Sequence, residues 1–347
     1  IHYNLEKKGE LMFAINGTGR IGICTARIIG QRKDIELKAI NTTAHIDTLV
    51  HLLKYDSVHR DLSGNSIDGS FDVKKINENT ISIGNSKNIK IISNRNINEL
   101  DFSKYGAKCV IECTGKFNSL EASQAHIKDD IKKVIISAPA DNVPMYVYGV
   151  NHNEYKGESI ISNASCTTNC LAPIVKVLHN KFGIESGLMT TIHSFTNDQN
   201  VLDVKHKDIR RARAASLNMI PTSTGAAKSI GKVIPELNGK LNGIAVRVPT
   251  PDVSLVDLSM RLLNKATIES INQSFIEAQN KEMKGIILND LDKRVSSDFI
   301  GSPYSAIIIP DKTIVIDEIN AKILAWYDNE VGYSNRLVDL SIHAMNN

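Results

Sequence analysis

Short apolar runs alternate with helix-length stretches over the first half of the chain, a pattern that feeds strand–helix–strand units into a parallel sheet. Residues 11–15 and 35–40 read as strands on either side of a helix at 21–29. Further strands are predicted at 109–112, 133–137, 145–150 and 159–162, each short, apolar and bounded by turn residues or charge. The segment to about residue 165 is therefore expected to be a doubly wound α/β sheet.

Past that point the pattern changes. Residues 167–181 carry helical spacing around Pro173, which should kink the helix or mark its first turns. Strand-like stretches at 243–248, 253–262 and 313–325, separated by helices, predict a second, α+β domain on a mostly antiparallel sheet with helices on one face. Between them, 203–241 is long, basic and without clear period. Loops of that length usually carry function or pack against another subunit.

Composition narrows the class. At 347 residues the chain exceeds what one core usually supports, so two domains are expected. Basic and acidic side chains number 41 and 38, a net charge of +3 that argues against nucleic acid or an anionic membrane as the main partner. No apolar run reaches the ~20 residues of a membrane span, and no apolar secretory core follows the start. Residues 1–10 are polar, and Met12 is a conceivable true start. Cys24, Cys109, Cys113, Cys166 and Cys170 are an odd number without a C-x-x-C spacing, so reduced thiols in the cytoplasm are expected. Cys109 and Cys113 flank Val110 and Ile111 and read as core residues; no metal site is expected.

Gly17-Thr18-Gly19-Arg20-Ile21-Gly22 supplies G-x-G-x-x-G between a strand and a helix, the context in which the motif binds a dinucleotide rather than merely turning the chain. Its glycines let the backbone approach a pyrophosphate at the positive end of the helix. Such Rossmann-type folds commonly end the second strand with an acid that binds the adenosine ribose. Here that strand ends Asn41-Thr42-Thr43, and Asp47 is expected in the following helix. Without the carboxylate a 2′-phosphate is not repelled, so NADP is as plausible a cofactor as NAD.

Ser165-Cys166-Thr167 lies where a strand passes into a helix, and a thiol there gains from the helix dipole. The plainer reading is a small buried residue, which also suits Cys170. His193 ends an apolar approach, Thr190-Thr191-Ile192, at a loop, where its imidazole could pair with a thiolate.

Taken together these residues resemble the glyceraldehyde-3-phosphate dehydrogenase family. The resemblance covers roughly Leu11 to Asn347, almost the whole chain, through Ser165-Cys166-Thr167-Thr168-Asn169-Cys170, Leu53-Lys54-Tyr55-Asp56-Ser57-Val58-His59, Pro221-Thr222-Ser223-Thr224-Gly225 and Trp326-Tyr327-Asp328-Asn329-Glu330. It implies that Cys166 attacks an aldehyde with His193 as acid–base catalyst, and that inorganic phosphate then cleaves a thioester. Thr196, Asp198 and Arg247, helped by Arg211, would bind the phosphate of glyceraldehyde 3-phosphate. Ser165, Thr167, Thr224 and Gly225 would bind the attacking phosphate, Thr167 otherwise serving as a helix cap. Gly17, Thr18, Gly19, Arg20, Ile21, Thr42, Arg95, Thr114, Gly115, Ser137, Lys205, Asn329 and Tyr333 would contact NAD or NADP. The resemblance also implies a homotetramer, a dinucleotide domain at 1–165 completed by a helix at 333–347, and a catalytic domain at 166–332 with its long loop at 203–225.

Four positions depart from the family pattern. Thr18 and Val331 stand for a common Phe and Trp and read as packing changes. Thr42 replaces the ribose-binding acid, and Lys205 a common Pro; both changes favour a 2′-phosphate. The rival readings are erythrose-4-phosphate dehydrogenase, and a secondary RNA- or surface-binding role that the +3 charge disfavours.

Overall fold

The computed structural model describes residues 11–60 and 70–347; the first ten residues, assigned above to the dinucleotide domain, lie outside them. The chain divides into two compact units. One comprises the chain to Tyr148 with His152–Ala164 and Ser334–Asn347, the other Gly149–Asn151 and Ser165–Tyr333.

In the first unit the chain runs β1 (Met12–Asn16), α1 (Arg20–Gln31), β2 (Glu36–Asn41), α2 (Ile46–Lys54), β3 (Val73–Asn77), β4 (Thr80–Ile83), β5 (Ser86–Ile92), β6 (Cys109–Glu112), α3 (Leu120–Gln124), β7 (Lys133–Ile136) and β8 (Ile160–Ser162). The sheet order is β3-β4-β5-β2-β1-β6-β7-β8. From β5 to β8 every pairing is parallel, while β3, β4 and β5 form an antiparallel extension. Phe13, Ala14 and Ile15 of central β1 are wholly buried, as strands covered on both faces must be. Asp47 falls in α2, as expected.

The strand predicted at 145–150 is absent. Met145 makes one isolated bridge to Ser162, and Gly149, at φ 86°, turns the chain away. Met145, Tyr146, Val147 and Tyr148 are nevertheless buried. Their hydrophobicity records burial in the core and carries no information about ladder pairing.

The second unit contains α4 (Cys166–Phe182), β9 (Ile184–Ser194), β10 (Ile220–Ser223), α5 (Ala226–Val233), β11 (Leu241–Val248), β12 (Ser254–Leu262), α6 (Ile268–Asn280), β13 (Ile287–Asn289), β14 (Ala306–Ile308), β15 (Ile314–Ile316) and β16 (Asn320–Tyr327). The last helix, α7 (Val331–Asn346), belongs to the first unit from Ser334 onward. The second sheet is ordered β10-β11-β9-β12-β16-β14-β13, with β15 on β16; only β11–β9 and β13–β14 pair in parallel.

The stretch 313–325, read as one strand, is a hairpin. β15 and β16 pair antiparallel about Asp317 and Glu318, at φ 52° and 58°. Two successive left-handed residues make the tight turn that matches strand twist, usually signalled by Asn-Gly; Asp-Glu hides it. Pro173 sits well inside α4 and is not in its first turns. Helix α4 packs on β9, β12 and β16. On β9 Met189, Thr191 and His193 point inward, while Leu188 on the opposite face is 70% exposed.

Candidate active site

Cys166 is the first residue of α4. Ser165 caps that helix, its Oγ accepting from the Thr168 amide at 3.0 Å and lying 2.7 Å from Thr168 Oγ1. The cap considered for Thr167 thus belongs to Ser165. Thr167 is engaged elsewhere, with Oγ1 2.9 Å from the Tyr327 hydroxyl and 4.0 Å from Cys166 Sγ. Tyr327 also reaches Thr191 Oγ1 at 2.8 Å and stands edge-on to the His193 ring, 5.9 Å away. Its part in the site was not read from the sequence, because Tyr327 lies 160 residues from Thr167.

His193 approaches from the end of β9, with Nε2 3.5 Å from Cys166 Sγ. The parallel register of β9 and β11 sets Arg247 directly beside His193. Arg247 Nη1 lies 2.7 Å from His193 Nδ1 and 3.0 Å from the Ser194 carbonyl oxygen, itself 2.8 Å from Nδ1. Burial and then the Arg247 charge push the imidazole down to about 3. Burial raises the Cys166 thiol, while the Arg247 charge and the Thr167 hydroxyl pull it back. Burial thus works against the charged form of both groups, while the Arg247 charge favours the thiolate.

Among the described residues Arg247 has no carboxylate partner and its Nε has no hydrogen-bond acceptor. Arg211 is different: it is paired with Asp198, lies 3.6 Å from Asp208, and donates to Thr222 Oγ1. Asp198 is thus occupied by Arg211 and by His206 Nε2 at 3.4 Å. Of the two arginines, Arg247 is the one equipped to take an external anion. Thr196 follows His193 on the partly exposed loop after β9. Thr224 Oγ1 accepts from the Ala226 amide, and Gly225 stands at the N-cap of α5. Asn329 turns Oδ1 toward the hydroxyls of Ser194 and Ser254, at 2.7 and 2.8 Å. Tyr333 is buried and Lys205 exposed.

In the first unit the glycine motif folds tightly. Gly17 has φ 100°, and a Cβ on Gly22 would lie 2.0 Å from the Gly17 carbonyl oxygen. Gly19 caps α1 without a side-chain bond, and with Gly17 and Thr18 it lines a cavity of about 360 Å³ before the helix. Thr18, Thr42, Arg95, Thr114 and Lys116 line it, and no carboxylate does. This loop fits a dinucleotide cradle, since Gly17 and Gly22 pack backbone closer than a side chain would allow and Arg95 and Lys116 stand in the cavity lining. Lys116 was not picked out from the sequence, where it reads as an ordinary surface lysine.

Thr18 is not a packing change: its Oγ1 lies 2.5 Å from Thr42 Oγ1, which also accepts from the Ala44 amide at 3.1 Å. Arg20 gives its guanidinium to Asp56, at 2.7 and 3.2 Å. Burial alone would raise Asp56, but Arg20 and the amides of His59 and Val58 hold it down to about 2. Ile21 opens α1, Gly115 turns at φ 68°, and the Ser137 amide donates to the Glu112 carbonyl. Thr114 is anchored to the buried Glu112 carboxylate, which also meets His126 at 2.9 Å.

Comparison with known proteins agrees with both halves. Residues 11–120 match the family described as glyceraldehyde 3-phosphate dehydrogenase, NAD binding domain, and 165–329 its C-terminal domain. The chain is 49% identical to glyceraldehyde-3-phosphate dehydrogenase 1 of Bacillus cereus, over 95% of this chain and 97% of that one. It is 48% identical to the enzyme of Geobacillus stearothermophilus, over 95% and 96%. A chloroplastic relative of Arabidopsis thaliana is 49% identical, over 98% and 85%.

Proposed function

Because the chain belongs to the glyceraldehyde-3-phosphate dehydrogenase family, we propose that it oxidises glyceraldehyde 3-phosphate through a thioester on Cys166, which inorganic phosphate cleaves to an acyl phosphate. The enzyme is an NAD(P)-dependent oxidoreductase. The observation that carries the mechanism is the 3.5 Å approach of His193 Nε2 to Cys166 Sγ beside an arginine with no carboxylate partner among the described residues.

Cys166 Sγ attacks the aldehyde carbon as its proton passes to His193, which returns it to the aldehyde oxygen, giving a hemithioacetal and a free imidazole. His193 next takes the hydroxyl proton of that adduct while the carbon loses hydride. The bound dinucleotide supplies the hydride acceptor. Arg247, with Thr196 nearby in sequence, holds the substrate's phosphate by charge and geometry. The start of α5, at Thr224 and Gly225, together with Ser165 and Thr167, offers amides and hydroxyls to the incoming phosphate without added charge.

We read the cofactor preference as dual. The lining of the dinucleotide cavity holds Arg95 and Lys116 and no acid, which favours a 2′-phosphate. The Thr18–Thr42 hydroxyl pair has two protons and spends one internally, so one remains for an acceptor whichever residue donates. A homotetramer is supported by apolar side chains with no cover in one chain, among them Leu188 and Ile244 on the second sheet and Ile209 and Leu217 in the long loop. Five free cysteines fit a reducing compartment such as the cytoplasm. No helix among the described residues is long and apolar enough to cross a membrane.

A steady-state assay with the triose phosphate, with and without inorganic phosphate and with each cofactor in turn, tests these points together. Strong phosphate dependence and turnover with both cofactors are expected. Phosphate-independent turnover would count against the acyl phosphate product, and a thousandfold preference for NAD against dual use.

A further inference from the structure

Where the parallel strands of the first sheet end, their registers set polar residues side by side. Asn16 closes β1, with Asn41 of β2 opposite it on one side and Glu112 of β6 on the other. Asn41 in turn stands level with Ile92, the last residue of β5, two positions before Asn94. From β1 the chain extends the sheet first through β2 and later, on the other side, through β6. Sheets of this kind bind ligands beyond the strand ends at such a reversal.

Side chains join the row. Asn41 Nδ2 donates to Asn16 Oδ1 at 2.7 Å, and Asn16 Nδ2 to Glu112 Oε2 at 2.6 Å. At one end Asn41 clamps the backbone of Asn94, accepting from its amide at 2.9 Å and donating to its carbonyl oxygen at 2.8 Å. At the other end Glu112 Oε1 accepts from the Thr114 amide at 2.7 Å and from the Thr114 hydroxyl. That hydroxyl itself accepts from the Lys116 amide at 3.1 Å. A Cβ on Gly17 would lie 2.9 Å from the Thr114 nitrogen, so the glycine loop rests on the same anchor. Asn16, Asn41, Glu112 and its neighbour His126 are all buried.

The direction of these bonds is set from both ends, because a carboxylate only accepts and a backbone N–H only donates. Asn16 must turn Nδ2 to Glu112 and Oδ1 to Asn41, which keeps its own Oδ1 for the Asn94 amide. We propose that Glu112 is a positioning residue for the dinucleotide: by setting this direction it holds the two loops that carry Arg95 and Lys116, the cations of the cavity lining. The proposal rests on placing the cofactor in that cavity. An amide at position 112 supplies no direction. If its oxygen serves the Thr114 amide, its nitrogen faces Asn16; Asn16 and then Asn41 must reverse, and Asn41 ends with N–H groups against the Asn94 N–H, which cannot reverse.

Titration of the full-length protein with NAD tests this. Glu112→Gln should raise the Kd and KM for NAD by about tenfold or more, as a cavity that loses its pre-organisation does. Its kcat at saturating NAD should stay within about threefold of wild type, because the reacting groups are untouched. Asn16→Asp alone should also weaken binding, by opposing two carboxylates. Combined with Glu112→Gln, however, it moves the carboxylate one place along the row, where it accepts from the new amide on one side and from Asn41 on the other. The double variant should therefore bind NAD about fivefold or more tighter than Glu112→Gln alone. Residues that merely packed would give losses that add.

Asn41→Ala removes the clamp on Asn94 without touching the buried carboxylate, and should raise the Kd for NAD by about tenfold or more even if Glu112→Gln does not fold. Unchanged NAD affinity in Glu112→Gln or Asn41→Ala, or additive losses in the double variant, overturns the proposal. Any of these results alongside NAD binding by wild type leaves the proposed reaction intact, whereas wild-type protein that bound neither NAD nor NADP would refute the reading of the cavity itself.

Discussion

Thr18 Oγ1 and Thr42 Oγ1 stand 2.5 Å apart, joining the glycine loop after β1 to the end of β2 across 24 residues of sequence. One hydrogen bond thus ties together the two residues that the proposed dual cofactor use sets against the ribose. Thr42→Asp should lower kcat/KM for NADP by about tenfold or more through charge repulsion, while leaving NAD turnover near its original value. An unchanged NADP to NAD ratio in steady-state kinetics would argue against this end of the cavity as the discriminating one.

The thiol–imidazole pair makes unequal demands on its members. Cys166→Ser should abolish turnover, since serine has no comparable thiolate. His193→Asn should lower the acylation rate by about 10²- to 10⁴-fold, the range of a lost general base. Both variants should keep the wild-type melting temperature within about 2 °C, because neither change opens a large cavity. Full activity in either would overturn the assignment.

Asp252 supplies a pH dependence of stability. Burial first, and then the charges of Asp328 and Glu330, raise its carboxyl well above the ordinary range. Folded protein therefore holds this proton to higher pH than unfolded protein does, and stability is lost as pH rises from the ordinary carboxylate range through the raised value. Asn imitates the protonated acid. Asp252→Asn should accordingly show a smaller fall in melting temperature between about pH 6 and about pH 9 than wild type. Parallel slopes for the two proteins would exclude Asp252 as the source.

Two glycines of one motif should respond in opposite ways. Gly22→Ala would set a methyl 2.0 Å from the Gly17 carbonyl oxygen, at a cost of about 1–3 kcal/mol or more and with loss of cofactor affinity. Gly19→Ala meets nothing within 4 Å and should leave the melting temperature unchanged. Thermal unfolding with and without added cofactor distinguishes them, and equal tolerance of both would contradict the close packing of the loop.

Much of this protein was determined by the sequence alone. Period and punctuation gave the alternation feeding the parallel sheet, the change to a second domain type near residue 165, and the loop–helix junctions at Gly17–Gly22 and Cys166, because these depend on neighbours in sequence. Periodicity failed where burial and pairing part company: residues 145–150 are apolar without forming a strand, and 313–325 bends at Asp317 and Glu318 without a glycine. Tertiary structure alone decided the partners of the reactive groups. Arg247 meets His193 only through the register of β11 on β9, Tyr327 meets Thr167 across 160 residues, and Thr18 meets Thr42 only once β1 and β2 lie side by side. A side chain's charge and hydrogen-bonding capacity are written in its residue type, but which of them is spent is fixed by groups that only folding brings within 3 Å.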